Sequence, residues 1–169
     1  TTFDDAVQNH NYTDMDGKTT PISIGAGMAC DKGIIVVNSA GNSGNSSWHY
    51  ISAPADNFNV LTVGAVDEDE ELALFSSYGP NAEGAVKPNV VAQGKNTVVA
   101  TFDNEVMTGN GTSFSSPVTA GMVACLWGSS PDKTAFSIKD TLQALVFSGT
   151  QKLFINHWKF GLNEYKRTF

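Results

Sequence analysis

The sequence predicts an α/β fold, and a helix followed directly by a strand is the main observation behind that prediction. Thr20 is a helix cap, Pro21 takes the first helical position, and Lys32-Gly33 ends the helix. Residues 34–37 then form a continuous β-branched run, Ile-Ile-Val-Val. Such a run is typical of a strand that is buried on both faces of a parallel sheet.

Further periodic segments complete the α/β pattern. The next strand is predicted over residues 59–66, and a short strand pair over residues 97–101 and 105–108. One buried helix is predicted from Ser113 to Trp127, and a second over about residues 134–147. The predicted buried face of that second helix consists of Phe136, Ile138, Leu142, Leu145 and Val146. Residues 151–169 are predicted to form a tail that packs on the domain formed by residues 1–150.

Composition excludes several classes of function. The chain has 169 residues, of which 41% are apolar and 16% charged, an ordinary globular composition with a low charge content. Its net charge of −7 argues against nucleic acid or an anionic membrane as a partner. No apolar run approaches the roughly 20 residues of a membrane span. Cys30 and Cys125 make no disulfide framework, and both are predicted to be buried free thiols.

A serine is predicted at the start of the helix that follows residue 112. Gly109 and Gly111 give the preceding turn backbone freedom, and Pro117 is expected within the first helical turn. The first N–H groups of a helix have no internal partners and lie at the positive end of its dipole, so they can hold an anion. Ser113 is therefore positioned either as a nucleophile or simply as a helix cap.

A glycine-rich loop follows the first predicted strand. In open α/β sheets ligands bind beyond the carboxyl ends of the strands, so the loop Asn38-Ser39-Ala40-Gly41-Asn42-Ser43-Gly44 is in the right place for a site. Taken alone, Asn42 would be a turn asparagine, since asparagine tolerates left-handed backbone geometry.

Several segments resemble the subtilisin-like serine proteases. Residues 111–117 match the nucleophile motif Gly-Thr-Ser-x-x-x-Pro, and residues 36–44 match Val-Val-x-x-Ala-Gly-Asn-x-Gly. Residues 75–80 match Phe-Ser-x-x-Gly-Pro, and residues 87–94 resemble Lys-Pro-Asp-Val-x-Ala-Pro-Gly, with Asn89 and Gln93 as departures. The resemblance covers about residues 20–150, the C-terminal half of such a catalytic domain. It implies part of a three-layer fold with a mostly parallel sheet and helices on both faces.

The resemblance assigns roles to individual residues. It makes Ser113 the nucleophile and Asn42 the oxyanion-hole donor of a serine endopeptidase, which forms an acyl-enzyme on Ser113. It places Ser39, Ala40 and Gly41 along one wall of the primary specificity pocket. A polypeptide substrate and a secreted or cell-surface location are implied in the same way. No cofactor is required; structural calcium is common in the family, but no ligand set is visible in this sequence.

The Asp and His of a catalytic triad are not evident in this chain. The family places an Asp-Ser/Thr-Gly motif and a His-Gly-Thr motif before the matched segments, and neither occurs here. His10, His49 and His157 all lack the glycine that follows the family's base, and each is interpreted as a surface or packing residue.

Two hypotheses explain the absence of the Asp and His motifs. In the first, the chain is a fragment of a protease, is inactive alone, and has the missing N-terminal half of the catalytic domain as its partner. In the second, it is a non-catalytic half-subtilase binding or scaffold module. An α/β-hydrolase esterase is disfavoured, because Ser115 stands where the Gly-x-Ser-x-Gly elbow needs its second glycine. An open strand edge without protecting charge favours the first reading.

Overall fold

A computed structural model describes residues 9–147 of the chain. The helices in that range are α1 (Pro21–Asp31), α2 (Thr112–Gly128) and α3 (Ala135–Phe147), and a single 3-10 turn covers Tyr12–Asp14. The strands are β1 (Val37–Ser39), β2 (Leu61–Val66), β3 (Val90–Gln93), β4 (Thr97–Ala100) and β5 (Val106–Gly109). The predicted tail over residues 151–169 and His157 lie outside the described residues.

The main sheet is parallel and has the strand order β1-β2-β3. All six residues of the central strand β2 are buried, and β2 confirms the strand predicted over residues 59–66. A parallel sheet with helices packed against it confirms the predicted α/β class. Because the strands are parallel, the loops that follow β1, β2 and β3 all leave from one edge of the sheet.

One face of the sheet packs against the two C-terminal helices. Leu61 and Val63 of β2 and Val90 and Ala92 of β3 form a buried cluster with Val123 of α2 and with Ile138 and Leu142 of α3. The burial of each large aliphatic side chain stabilises the fold by about 1.5–3 kcal/mol relative to exposure. The predicted core positions Ile138 and Leu142 are confirmed, whereas Phe136 was wrongly placed in the core and is 43% exposed.

Both predicted ends of α1 are confirmed. The Thr20 hydroxyl accepts a hydrogen bond from the Ser23 backbone N–H at 3.3 Å, and Pro21 occupies the first helical position. Gly33 follows the helix with a φ of 83°, a left-handed conformation that glycine adopts without steric cost. Local sequence alone is enough to fix these boundaries, because the cap contacts are made within a few residues.

The first strand differs from its prediction. The run over residues 34–37 was predicted to be buried on both faces, but β1 begins only at Val37, and Ile34 is 55% exposed. Within residues 9–147, β1 pairs with β2 alone, so it is an edge strand and its residues are only half-buried. A β-branched run predicts a strand, but burial depends on which elements cover it.

The serine helix also differs from its prediction in two respects. It is not buried all round: within the described region only one stripe of α2 is buried, formed by Thr112, Ser115, Thr119 and Val123. Cys125 lies outside that stripe and is exposed, whereas Cys30 is buried as predicted. Pro117 lies inside the helix rather than in its first turn, because the helix begins at Thr112. Its missing N–H removes the hydrogen bond that Ser113 O would otherwise accept.

A buried lysine stabilises the loop before β2. Lys87 is 1% exposed, and its ammonium donates hydrogen bonds to the carbonyl oxygens of Asn57 and Val60 at 2.8 and 2.7 Å. It also lies 3.0 Å from the Thr62 hydroxyl and 3.0 Å from Asn89 Oδ1. Burial lowers the pKa of Lys87 to about 7, with a smaller contribution from the nearby charge of Lys139.

Candidate active site

Ser113 is the second residue of α2 and is exposed at the start of that helix. The turn before it is held against the end of β3, because the Gly111 N–H donates to the Gly94 carbonyl at 2.7 Å. A second contact comes from the Asn110 side-chain oxygen, which accepts from the Asn96 N–H at 2.8 Å. The predicted β4–β5 pair is confirmed as an antiparallel hairpin that leads into this turn. The serine thus lies at the carboxyl edge of the parallel sheet.

Asn42 lies in the loop that follows β1, and it contacts the residue immediately before Ser113. The Asn42 Oδ1 accepts hydrogen bonds from the Thr112 backbone N–H at 2.8 Å and from the Thr112 hydroxyl at 2.9 Å. A backbone N–H can only donate, so the side-chain atom facing it is the oxygen of the carboxamide. The Asn42 Nδ2 therefore faces away from Thr112.

Two hydrogen-bond donors border one small space beside Gly111. A Cβ on that glycine would stand 3.4 Å from the Asn42 Nδ2 and 3.7 Å from the Ser113 backbone nitrogen. A Cβ on Gly109 would meet the Phe114 ring at 2.7 Å. Both glycines therefore leave room that a side chain would fill, and the structure brings Asn42 and Ser113 together although they lie in separate segments.

The predicted pocket wall is built around Gly41. The Ala40 N–H donates to the Val63 carbonyl of β2 at 2.8 Å, and the Gly41 carbonyl accepts from the Ser77 N–H at 2.9 Å. Gly41 has a φ of 110°, and a Cβ there would stand 3.0 Å from the Ser77 hydroxyl oxygen. The Ala40 side chain is fully buried beside Ile51 and Ala55, so only its backbone can border a ligand. Ser39, the last residue of β1, is half-buried.

The two histidines in the described range, His10 and His49, contact residues other than Ser113. The His10 ring nitrogen lies 3.5 Å from the Asp14 carboxylate, one helical turn along the chain. The ring of His49 packs beside those of Tyr50 and Tyr78, with centroids 4.0 and 5.1 Å away. These contacts agree with their interpretation as surface and packing residues. Neither is hydrogen-bonded to Ser113.

Sequence reasoning gave no role to Thr112, Gly94 or Ser77, although all three shape this edge of the sheet. Thr112 lies inside the Gly-Thr-Ser motif, so the sequence shows that it precedes Ser113. The sequence does not show that Thr112 contacts Asn42. Among residues 9–147, no three His, Cys, Asp or Glu side chains converge as metal ligands would. No helix in that range is both long and apolar enough to cross a membrane.

Comparison with known proteins identifies the protein family to which this chain belongs. Residues 5–160 match the model of the subtilase family, Peptidase_S8. This chain belongs to the subtilase family of serine proteases. That membership confirms the resemblance stated on the motifs.

Two of the curated relatives are proteases of Bacillus species. Serine protease AprX of Bacillus subtilis is 33% identical over 145 residues, covering 73% of this chain and 32% of that protein. Subtilisin DY of Bacillus licheniformis is 36% identical over 128 residues, covering 75% of this chain and 44% of that protein. The chain therefore spans less than half the length of either relative.

A solved structure shows the same fold. The S41 psychrophilic protease superimposes with a TM-score of 0.60 at 30% identity, covering 70% of this chain and 41% of that one. The self-cleaved protease domain of PatA superimposes with a TM-score of 0.59 at 24% identity. The described α/β unit thus corresponds to part of a protease fold.

Proposed function

We propose that this chain forms the C-terminal half of a subtilisin-like serine endopeptidase domain and supplies its nucleophile and oxyanion hole. The orientation of the Asn42 carboxamide is the observation that carries this proposal. Its oxygen is bound by Thr112, so its NH₂ group faces the space beside the Ser113 N–H. Two donors converging beside a serine hydroxyl are what acyl transfer requires.

The reaction follows from those positions. Ser113 Oγ attacks the carbonyl carbon of a peptide bond, and its proton passes to a histidine base. The oxygen of the tetrahedral intermediate is held by the Asn42 Nδ2 and the Ser113 N–H. The C–N bond then breaks, the amine leaves with the proton from the histidine, and water hydrolyses the acyl ester to restore Ser113. In this proposal the histidine and its aspartate come from the N-terminal half of the domain, outside this chain.

Exposed apolar surface supports the proposal that this chain binds a missing N-terminal half. Ile22, Ile24 and Met28 of α1 are each more than 40% exposed, and so is Val118 of α2. In the described region the outer edge of β1 has no partner strand. A folded protein rarely leaves a helix face and a strand edge open together. The N-terminal half would cover both, and without it the chain would be inactive, because oxyanion donors without a base retain little of the rate enhancement.

The substrate of the assembled domain would be a polypeptide. Ser39, Ala40 and Gly41 would form one wall of the primary specificity pocket, mainly through backbone atoms at Ala40. Residues 1–150 would belong to the peptidase domain and residues 151–169 would form its tail. A secreted or cell-surface location is inferred from the family, and no cofactor is required for the chemistry.

A serine-reactive organophosphonate tests the proposal. The N-terminal half is supplied as a separate chain, either from the gene region upstream of Thr1 or from AprX, and the mixture is labelled. Labelling is expected only with the added half, and it is expected to disappear in Ser113→Ala. Ser116→Ala, on the same helix, is the matched control and should label normally. If Ser113 is never labelled although the halves copurify, the chain is instead a non-catalytic binding or scaffold module.

A further inference from the structure

The β4–β5 hairpin presents an exposed apolar surface. Val98 and Ala100 of β4 lie on the same face as Val106 and Thr108 of β5, because Val98 pairs with Thr108 and Ala100 pairs with Val106. Val98 is 69% exposed, Val106 is 73% exposed, and Phe102 in the connecting turn is fully exposed. These five residues form the hairpin surface. Neighbouring apolar side chains left open to water in this way mark an interaction surface.

Carboxylates border the hairpin surface at both of its ends. Asp103 and Glu105 are exposed in and beside the connecting turn. At the other end, the acidic turn of residues 67–71 is joined to the start of β4, because the Lys95 ammonium lies 3.0 Å from the Asp67 carboxylate. An apolar centre with a charged rim is the usual anatomy of a protein interface. A partner that fits this surface is therefore both apolar and cationic.

The C-terminal tail, residues 151–169, has that chemistry in its sequence. It contains four of the ten Lys and Arg residues of the chain but only one of its seventeen Asp and Glu residues. Aromatic residues are interleaved with the cations, and Trp158 and Phe160 stand on either side of Lys159. The whole chain has a net charge of −7, so the tail is a basic segment of an otherwise acidic protein. Opposite charges favour the encounter of these two parts.

The tail is long enough to reach the hairpin surface. The helix α3 ends at Phe147, and the roughly 20 residues that follow span up to about 70 Å when extended. A domain of about 140 residues, by comparison, has a radius of gyration of only about 14 Å. A segment of the same chain also has an effective concentration of up to about a millimolar, so at micromolar protein concentrations it outcompetes a second copy.

Other pairings of surface and occupant fit less well. The exposed apolar face of α1 offers the tail little charge, because Asp31 is the only acidic residue of that helix. The missing N-terminal half is proposed to pair at the edge of β1, whereas the hairpin follows β3 at the opposite end of the sheet order. The hairpin surface and the tail therefore match each other best.

We propose that the tail docks on the hairpin surface of its own chain. Its aromatic side chains cover Val98, Phe102 and Val106, and its cations face Asp103, Glu105 and the acidic turn of residues 67–71. The strand β5 runs into the turn before α2, so the docked tail lies against the segment that leads into the candidate active site. This contact does not depend on the function proposed above, because it needs neither a substrate nor a second half.

Zero-length cross-linking of the full chain tests which carboxylates the tail meets. A carbodiimide joins a lysine amine to a carboxylate that it touches, and mass spectrometry of the digest identifies each pair. Lys159 and Lys166 are expected to be joined to Asp103 or Glu105 at least about tenfold more often than to Asp31, an exposed control carboxylate at the end of α1. Equal yields at Asp31 would overturn the proposal. Absence of any tail cross-link would also overturn it, and would leave the hairpin surface to the missing half.

Mixed isotopes distinguish the tail of the same chain from the tail of a second copy. Equal amounts of ¹⁴N-labelled and ¹⁵N-labelled protein are cross-linked together at about 10 µM, where contact within one chain is favoured about a hundredfold. Each cross-linked pair is expected to carry a single isotope. Pairs in which about half carry both isotopes would mean that a second copy supplies the tail, and would contradict the proposal.

Fluorine NMR of protein labelled with fluorotryptophan tests the apolar part of the contact. The Trp158 resonance is expected to differ from its position in urea, and to move toward that position when Val98→Ser and Val106→Ser are combined. Val118→Ser, which removes an exposed valine of α2, is the matched control and should leave the resonance in place. Substitutions at exposed positions change stability little, so these chains should fold. A Trp158 resonance that ignores the hairpin substitutions would refute the docking.

A charge exchange tests the polar part of the contact. Lys159→Glu is expected to move the Trp158 resonance toward its position in urea, and Glu105→Lys in the same chain is expected to restore it, because the opposite charges face each other again. Lys133→Glu, at an exposed lysine outside the tail, is the control and should have no effect. Failure of Glu105→Lys to restore the resonance would exclude the proposed pairing of charges. If a variant fails to fold, the cross-links of the wild-type chain still decide the proposal.

Discussion

The ammonium of Lys87 lies 3.0 Å from the side-chain oxygen of Asn89, where the family motif has an aspartate. The chain thus buries a cation beside a neutral amide. Four oxygen atoms surround the ammonium, but none of them belongs to a carboxylate. Asp56 is buried nearby and its charge acts on Lys87, although its own hydrogen bonds are with Gly17 and Ser23. The free-energy cost of removing the Lys87 ammonium from water is therefore only partly offset by these oxygen atoms and by the charge of Asp56.

Stability is expected to rise with pH between about 7 and 10 because of this lysine. Burial lowers the pKa of Lys87 to about 7 in the folded chain, from 10.5. Between those values the unfolded chain binds more protons than the folded one, so higher pH favours folding. In urea titrations, wild type should gain about 2 kcal/mol over Lys87→Met from pH 7 to pH 9. Parallel pH curves for the two proteins would refute this.

Asn89→Asp is expected to remove most of that pH dependence. A carboxylate in place of the amide oxygen raises the pKa of Lys87 and keeps the bond that Asn89 accepts from the Thr62 N–H at 2.9 Å. The free energy of unfolding at pH 7 should increase by about 1 kcal/mol. Asn104→Asp, at an exposed asparagine, is the control and should change stability by less than about 0.5 kcal/mol. A destabilised Asn89→Asp would contradict the prediction.

Gly94→Ala is expected to destabilise the chain by about 1–3 kcal/mol. A Cβ at Gly94 would overlap the Ser115 hydroxyl and stand 2.8 Å from the Gly111 carbonyl oxygen. Gly121→Ala is the matched control on α2, because a Cβ there meets nothing within 4 Å. It should instead stabilise the helix by about 0.5–1 kcal/mol. Urea midpoints measure both changes, and a Gly94→Ala chain as stable as wild type would show that close packing at Gly94 is unimportant.

Asn42→Asp is expected to abolish most activity while leaving the fold intact. The carboxylate keeps both hydrogen bonds from Thr112 but replaces the NH₂ donor with a negative oxygen. In subtilisin, a member of this family, loss of the oxyanion asparagine costs about 10²–10³ in kcat. At least that loss is expected in the complemented protease, with unfolding unchanged within about 0.5 kcal/mol. Asn45→Asp controls for the added charge, and a normal kcat in Asn42→Asp would exclude its proposed role.

The sequence predicted what depends on local signals. The ends of α1 follow from Thr20, Pro21 and Gly33. The central strand was predicted over residues 59–66, a segment similar to the family's Val-x-x-Val-Gly-Ala strand. The motifs also predicted that the loop bearing Asn42 and the helix bearing Ser113 belong to one site. These features need only neighbouring residues or a long specific motif.

Exposure was predicted less well, because it depends on what covers each element. Val37, Cys125 and Phe136 belong to segments that were predicted to be buried, yet each is exposed or only half-buried. The same lack of long-range information hid the contact between Thr112 and Asn42, which are 70 residues apart. The position of Pro117 was missed because the helix begins at Thr112, one residue earlier than predicted.

The hydrogen bonds between Thr112 and the residues Gly41 and Asn42 join segments that are distant along the chain, so the site depends on both segments being present together. Neither the loop nor the helix, synthesised as an isolated peptide, would hold the Asn42 carboxamide in place. A backbone cut in the exposed turn at Glu68 and Asp69, by contrast, would separate the loop from the helix along the chain. It would leave these hydrogen bonds intact.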